Sequence, residues 1–205
     1  MDEARQIREF WFGRQPLTAQ RLEERMALWF GTDSAETQAE WDEEIRRRFL
    51  DSIEQAARGE LDTWADGPRR RLSLILLLDQ FPRNVFRGTA RAFAYDDKAL
   101  ALTMSGIQQA ADGALNFAER MFFYMPLQHA ELREAQDEAV LAFRRLHDES
   151  PPALQRFMAE GVKSAEQHRE IIQRFGRFPH RNRVLGRPTT PEEFEFLRTS
   201  DSFGQ

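Results

Sequence analysis

Two short segments of this sequence carry similar polar side chains that could bind an anion. Residues 81–88 read FPRNVFRG and residues 178–187 read FPHRNRVLGR, so each has Phe-Pro, then basic residues, Asn and Gly. We call them the first and second Phe-Pro segments. Guanidinium forks and amide groups are well suited to hold phosphate or carboxylate groups. If the fold brings together these segments, which lie nearly a hundred residues apart, they would form one polar pocket.

An acidic residue precedes the first Phe-Pro segment. Asp79 follows the apolar run LILLL, and we expect it at the C-terminal end of a helix, where the helix dipole disfavours a carboxylate. A buried carboxylate needs a cation or several hydrogen-bond donors, and Arg83 or Arg87 is the nearest cation. A carboxylate that fixes an arginine fork would preorganise the pocket for its anion.

A histidine and a glutamate near Pro126 are the candidate catalytic residues. Proline predicts that one helix ends there and that residues 127–130 form the first turn of the next helix, where free backbone N–H groups favour an anion. His129 and Glu131 could then act as acid and base, or His129 could donate a hydrogen bond to a ligand. The alternative is a structural histidine beside a glutamate that stabilises the helix dipole.

The same features also have a purely structural interpretation. Proline cannot continue a helix and pushes Phe81 and Phe178 out of the α region, so these rings could fill the core while the asparagines turn or cap the chain. His168 shares a helix face with Ile171 and Ile172. It is therefore either a core histidine or a residue that lines the pocket.

Helical periodicity predicts the elements that must position these residues. Apolar residues recur at helical spacing, β-branched residues are scarce, and linkers are short, which favours antiparallel neighbours. We expect one all-α domain, residues 1–205, of eight to ten helices. We expect the first helix to end at Gly13. The other segments with a clear helical pattern are 18–30, 34–58, 69–80, 96–111, 127–147, 150–175 and 190–199. Thr190 to Glu193 has the pattern of a capping box.

Composition excludes several classes of protein. The 205 residues are 41% hydrophobic and 31% charged, include no cysteine and carry a formal net charge of −5. Disulfides and thiolate nucleophiles are therefore excluded, and an acidic chain is not expected to bind nucleic acid. No long apolar run or export signal is present, so we expect a cytoplasmic protein without membrane contact. HExxH, GxGxxG and GxSxG are absent, and we predict neither metal nor cofactor.

Three longer strings resemble a known bacterial family. They are LDQFPRNVFRGTARAFAYD (78–96), ERMFFYMPLQHAE (119–131) and FGRFPHRNRVLGRPTTPEE (175–193). Together they are similar to the family catalogued as domain of unknown function nine hundred and twenty-four, which is grouped with tetratricopeptide-like helical proteins. The resemblance implies stacked antiparallel hairpins in a tetratricopeptide-like superhelix, and it implies no reaction or cofactor. The sequence departs from the family at Gln128 and Ala130, where Glu and Ser are expected, so any chemistry of that serine would be missing here.

The residues and the resemblance together leave three hypotheses open. The first is a site for a small anionic molecule, with catalysis by His129 and Glu131 left open. The second is a tetratricopeptide-like scaffold that binds a protein or peptide, and the third is a polar network that only holds the hairpins together. For the first hypothesis the predicted ligand-binding residues are Asp79, Arg83, Asn84, Arg87, Tyr124, His180, Arg181 and Asn182.

Overall fold

All regular structure in the described part of the chain is helical. The computed structural model describes residues 2–14, 18–31 and 34–199. The α-helices in these ranges are α1 (Glu3–Phe12), α2 (Ala19–Phe30), α3 (Ala35–Arg58), α4 (Pro68–Ile75), α5 (Phe81–Val85), α6 (Asp96–Gln108), α7 (Phe117–His129), α8 (Arg133–Glu149), α9 (Pro152–Phe175) and α10 (Pro191–Thr199). A π-helical turn at Leu76–Gln80 joins α4 to α5, so the described ranges contain nine helices. The predicted all-α class and number of helices are confirmed. None of these helices is long and apolar enough to cross a lipid bilayer.

The continuous helix formed by α4 and α5 runs through the centre of the hydrophobic core. Residues 74–78 are fully buried, and Phe81 is buried with them. The Phe81 ring packs against Trp11 of α1 at 5.4 Å and Phe49 of α3 at 5.0 Å between ring centres. Residues 74–78 are all apolar, so this part of the helix has an apolar surface on every side. Such a surface is typical of a helix that is surrounded by other helices.

The prediction that Pro82 ends this helix is wrong. Phe81 keeps α-helical dihedrals (φ −63°, ψ −36°), and its N–H donates to the Leu76 carbonyl across the π turn. Pro82 directly follows the π turn inside this continuous helix, and the burial of Phe81 and of residues 74–78 outweighs the cost of the missing N–H. Asp79 consequently lies inside a continuous helix rather than at its C-terminal end.

The prediction that a helix ends at Pro126 is also wrong, because α7 continues through this proline to His129. Phe122 and Leu127, on either side of Pro126, are fully buried, and this burial outweighs the cost of an interior proline. His129 is therefore at a helix C-terminus, and the argument for an anion at a helix N-terminus does not apply. The buried Gln136 of α8 caps this end, because its Nε2 donates to the Gln128 and Ala130 carbonyls, both at 2.7 Å.

The C-terminal part of the chain packs as a smaller cluster on α9. Phe178 leaves the helical region as predicted (φ −90°, ψ 107°) and is fully buried with Ile171 and Ile172. The predicted capping box is confirmed, since the Thr190 N–H donates to Glu193 at 2.7 Å and the Glu193 N–H donates to the Thr190 hydroxyl at 3.2 Å. This cap fixes the start of α10 behind the second Phe-Pro segment.

Candidate functional site

A buried aspartate and a histidine form the centre of the candidate site. Asp79, in the π turn, is fully buried, and its Oδ1 lies 2.7 Å from Nδ1 of His129 at the end of α7. Gln80 Nε2 donates to the other carboxylate oxygen at 2.5 Å. The His129 side chain is 16% exposed, and within the described ranges its second nitrogen, Nε2, has no hydrogen-bond partner. This nitrogen is therefore the one that a bound molecule could contact.

Two arginines, one from each Phe-Pro segment, meet at a single carboxylate. Arg83 donates to both oxygens of Asp96 at 3.0 and 2.9 Å, and Arg181 donates to Asp96 at 3.2 Å. The Phe93 ring packs under both guanidinium groups, 5.6 Å from Arg83 and 4.5 Å from Arg181. Arg83 also lies 3.5 Å from Asp79. The structure thus brings these two distant segments together in the network that contains Asp79, the partner of His129.

Glu131 holds the second Phe-Pro segment against the end of α7. Its Oε1 accepts the Phe178 backbone N–H at 2.7 Å, and Arg187 donates to both carboxylate oxygens at 2.6 and 3.0 Å. Glu131 lies beside His129, as the sequence suggested, but both of its oxygens are occupied by the segment that carries Arg181. This arrangement makes Glu131 a positioning residue for that segment.

The side chains of this network border a cleft that is partly open to solvent. Its volume is about 210 Å³. Its lining is formed by Ala90, Phe93, Ala94, Asp96, Asp97, His129, Ala130, Glu131, Arg181 and Leu185. None of these side chains carries a hydroxyl or a thiol, and Ala130 occupies the position where the family resemblance leads us to expect serine.

Three of the predicted ligand-binding residues point elsewhere. Asn84 Nδ2 and Arg87 Nε donate to Asp42 of α3, at 2.9 and 2.7 Å, and the Tyr124 hydroxyl donates to Asp112 at 2.5 Å. Asn84 follows Arg83 in α5, so its side chain points roughly 100° away from that of Arg83 around the helix. Arg87 lies in the turn after α5, which ends at Val85.

The remaining two predicted residues belong to the second Phe-Pro segment. Asn182 is buried, accepts a hydrogen bond from Arg187 Nε at 3.1 Å and donates to Glu193 at 3.2 Å, so it holds the turn together. The His180 ring packs on Phe178, with 5.4 Å between ring centres. Burial, and next the charge of Arg181, lower the pKa of His180 to about 4, so its imidazole is neutral at pH 7.

The electrostatics of the Asp79–His129 pair fix its protonation state. Burial, and next the nearby Arg83 charge, lower the pKa of His129 below its ordinary value. Burial alone would raise the pKa of Asp79, but the charges of protonated His129 and of Arg83, with hydrogen bonds from His129 and Gln80, hold that pKa below its ordinary value. Near pH 7 His129 is neutral, so Arg83 and the two hydrogen bonds keep Asp79 ionised. The ring proton then lies on Nδ1, facing Asp79, and Nε2 carries a lone pair.

The comparisons with known proteins agree with this architecture. The family model described as bacterial protein of unknown function (DUF924) matches residues 7–201. The chain belongs to the DUF924 family. A solved protein of unknown function from Agrobacterium tumefaciens is 39% identical in sequence and superposes with a TM-score of 0.75, over 96% of this chain and 97% of that one. Among curated proteins, none matches this DUF924 chain.

Sequence reasoning missed several residues of this DUF924 site. Asp96, which binds both Arg83 and Arg181, is an acidic residue in the first turn of α6, and such residues commonly do no more than stabilise the helix dipole. Gln80, next to Asp79 in the chain, donates to the Asp79 carboxylate. Arg187, the last residue of the second Phe-Pro segment, donates to the Glu131 carboxylate. Charge balance could have indicated such a residue as Asp96. Two buried arginines need a carboxylate, and neither Phe-Pro segment contains one. Within the described ranges, no group of three or more His, Cys, Asp or Glu side chains is arranged to hold a metal ion.

Proposed function

We propose that the cleft binds a small molecule with an anionic group that contacts the Arg181 guanidinium and a hydrogen-bond donor that contacts Nε2 of His129. The observation that carries the proposal is that these two side chains line one cleft although they come from different parts of the chain. Buried hydrogen bonds hold both of them in place, so little ordering is needed when a ligand binds.

The burial of the Arg181 guanidinium favours an anion beside it at the inner end of the cleft. Arg181 and Arg83 share the carboxylate of Asp96. Burial, and next repulsion from Arg83, lower the pKa of Arg181 to about 10, so its surroundings do not fully compensate its charge. Its Nε–H is buried and has no acceptor among the described residues. That N–H is shielded from the cleft, but a bound anion could accept a hydrogen bond from another N–H of the Arg181 guanidinium.

Other carboxylates at the cleft limit where the anionic group can lie. Glu131 is neutralised by its two hydrogen bonds with Arg187, whereas Asp97 is exposed at the rim. The volume of about 210 Å³ is below the roughly 300–1,000 Å³ of sites for drug-sized ligands. The ligand is therefore compact, with a phosphate or carboxylate beside Arg181 and a neutral or donor group toward the rim.

Thermal unfolding with inorganic phosphate and with acetate tests this proposal. We expect either anion to raise the melting temperature of the unmutated protein in a concentration-dependent way. At an anion concentration of one hundred times Kd, the free energy of unfolding should increase by about 2.7 kcal/mol. Arg181→Gln removes the charge at the cleft and should abolish the increase. Arg183→Gln, an exposed position in the same segment, is the matched control and should keep it.

Two results would contradict the proposed function. One is an unmutated protein whose melting temperature neither anion changes. The other is an Arg181→Gln variant that is stabilised as much as the Arg183→Gln control. Each increase is measured against the same variant without the anion, so a loss of stability caused by the substitution itself does not affect the comparison.

A tetratricopeptide-like scaffold for a peptide is the alternative from the sequence, and it has less support. Such a scaffold needs a contiguous exposed apolar surface. Among the large hydrophobic residues that are exposed in the described ranges, Met26 and Phe30 are neighbours on α2, and the others lie in different parts of the chain: Met104, Leu132, Leu141 and Phe194. The cleft at His129 is therefore the better candidate.

A further inference from the structure

We propose that Asp79 and His129 form a proton-transfer couple, in which Nε2 of His129 takes a proton from a molecule bound in the cleft and Asp79 is the positioning residue. The proposal rests on the proposed function, because the proton donor must be held in the same cleft. It goes further by assigning a general-base role to one nitrogen of one ring.

The geometry of the pair supports this role. Asp79 accepts the Nδ1–H of His129 at 2.7 Å, which fixes the tautomer and the ring orientation. Nε2 has no partner among the described residues and belongs to a ring that lines the cleft. When a bound O–H group gives up its proton, the O–H bond breaks and an Nε2–H bond forms. The resulting imidazolium then lies against the ionised carboxylate of Asp79, which stabilises its charge.

The backbone at Asp79 is a second, independent observation. The π turn at Leu76–Gln80 is a rare local geometry that occurs frequently at functional sites. One additional residue in a turn rotates everything that follows by roughly 100° relative to an uninterrupted α-helix. Asp79 lies within this turn and Arg83 follows it, so the turn affects how the two side chains are oriented relative to each other.

The lining of the cleft limits the class of reaction. Without a hydroxyl or thiol among the lining residues, no serine, threonine or cysteine can act as a covalent nucleophile there. The proton therefore comes from the anionic molecule itself or from a water beside it. Arg181 is placed to hold the negative charge of that molecule during the transfer.

Modification by diethyl pyrocarbonate tests the couple without a known substrate, because this reagent reacts with the lone pair of a neutral imidazole nitrogen. We expect His129 to be modified at pH 7, as read by mass spectrometry of its peptide. Asp79→Asn can donate to Nδ1 and move the ring proton to Nε2, so we expect modification to slow roughly tenfold or more. Asp42→Asn is the matched control, because Asp42 of α3 accepts hydrogen bonds from Asn84 and Arg87 and neither contacts His129 nor lines the cleft, and it should change the rate little.

The pH profile of the unmutated protein provides a readout that needs no variant. The ionisable groups around the ring are Asp79, Arg83, Asp96, Glu131, His168, His180 and Arg181. Because burial and Arg83 hold His129 neutral, its modification rate should stay constant as the pH falls to 6.5. A rate that is already half lost at pH 6.5 or above would overturn the proposal.

Further outcomes separate this proposal from the proposed function. A His129 that is not modified in the folded protein, or an Asp79→Asn rate equal to that of Asp42→Asn, overturns the couple even if phosphate still raises the melting temperature. If Asp79→Asn slows modification while phosphate neither protects His129 nor stabilises the protein, the couple is supported and the anion site is wrong.

Discussion

Replacement of Arg83 by methionine should lower the free energy of unfolding by about 3–5 kcal/mol, because it leaves buried carboxylates without their cation. The Arg83 side chain is only 10% exposed, and it pairs with both Asp79 and Asp96. Methionine keeps much of the side-chain volume but none of the five donors. Without the Arg83 charge, the pKa of Asp79 should rise and the folded state should bind an additional proton.

Arg87→Met is the control for this prediction, since it makes the same substitution four residues later in the chain. Arg87 pairs with Asp42 through a side chain that is 33% exposed, so we expect a loss of about 1 kcal/mol or less. Urea denaturation with equal m-values for both variants is the measurement. If Arg83→Met costs no more than Arg87→Met, the buried network does not contribute to stability in the way we describe.

Acidification from pH 6.5 to pH 4.5 should destabilise the protein through two buried histidines. Burial is the main cause that lowers the pKa of His168 to about 3 and of His180 to about 4, from an ordinary value of 6.5. The unfolded chain therefore binds protons in this range that the folded protein does not. Stability is fully present above pH 6.5 and falls below it by about 1.4 kcal/mol per pH unit for each histidine.

His168→Gln isolates one of these two contributions. The His168 Nδ1–H donates to the Ser164 carbonyl at 2.8 Å, and a glutamine amide can make a similar bond without titrating. We expect the slope of unfolding free energy against pH to fall by about 1.4 kcal/mol per pH unit, which is the contribution of one histidine. A slope equal to that of the unmutated protein would contradict the prediction.

Local sequence patterns predicted the helices, and long-range burial explains where these predictions failed. Helical spacing, the Thr190–Glu193 capping box and the burial of Phe81 and Phe178 all depend on neighbouring residues or on hydrophobicity alone. Pro82 and Pro126 were misread because proline is a strong local signal. The free energy gained by burying the helix around each proline comes from contacts that the sequence does not display.

The site could be predicted in outline but not in its connections. The similarity of the two Phe-Pro segments suggested that Arg83 and Arg181 meet, and they do so at Asp96. Whether Arg83 or Arg87 lies at the cleft depends on whether the helix continues through the first Phe-Pro segment. From the sequence we expected the helix to end at Pro82, so the two arginines could not be distinguished. The partner of His129 could not be identified for the same reason, because Asp79 was placed at a helix end.

The most direct measurement of the central claim is a long-range proton–nitrogen NMR correlation spectrum of the imidazole rings at pH 7, with and without inorganic phosphate. The His129 signals are assigned by their loss in His129→Gln. We predict a ring that is protonated on Nδ1, with an Nε2 resonance that shifts as phosphate, whose O–H can donate to it, is added. A ring that carries its proton on Nε2, or one whose Nε2 resonance phosphate leaves unchanged, would contradict the proposal that His129 presents a basic nitrogen to an anion-binding cleft.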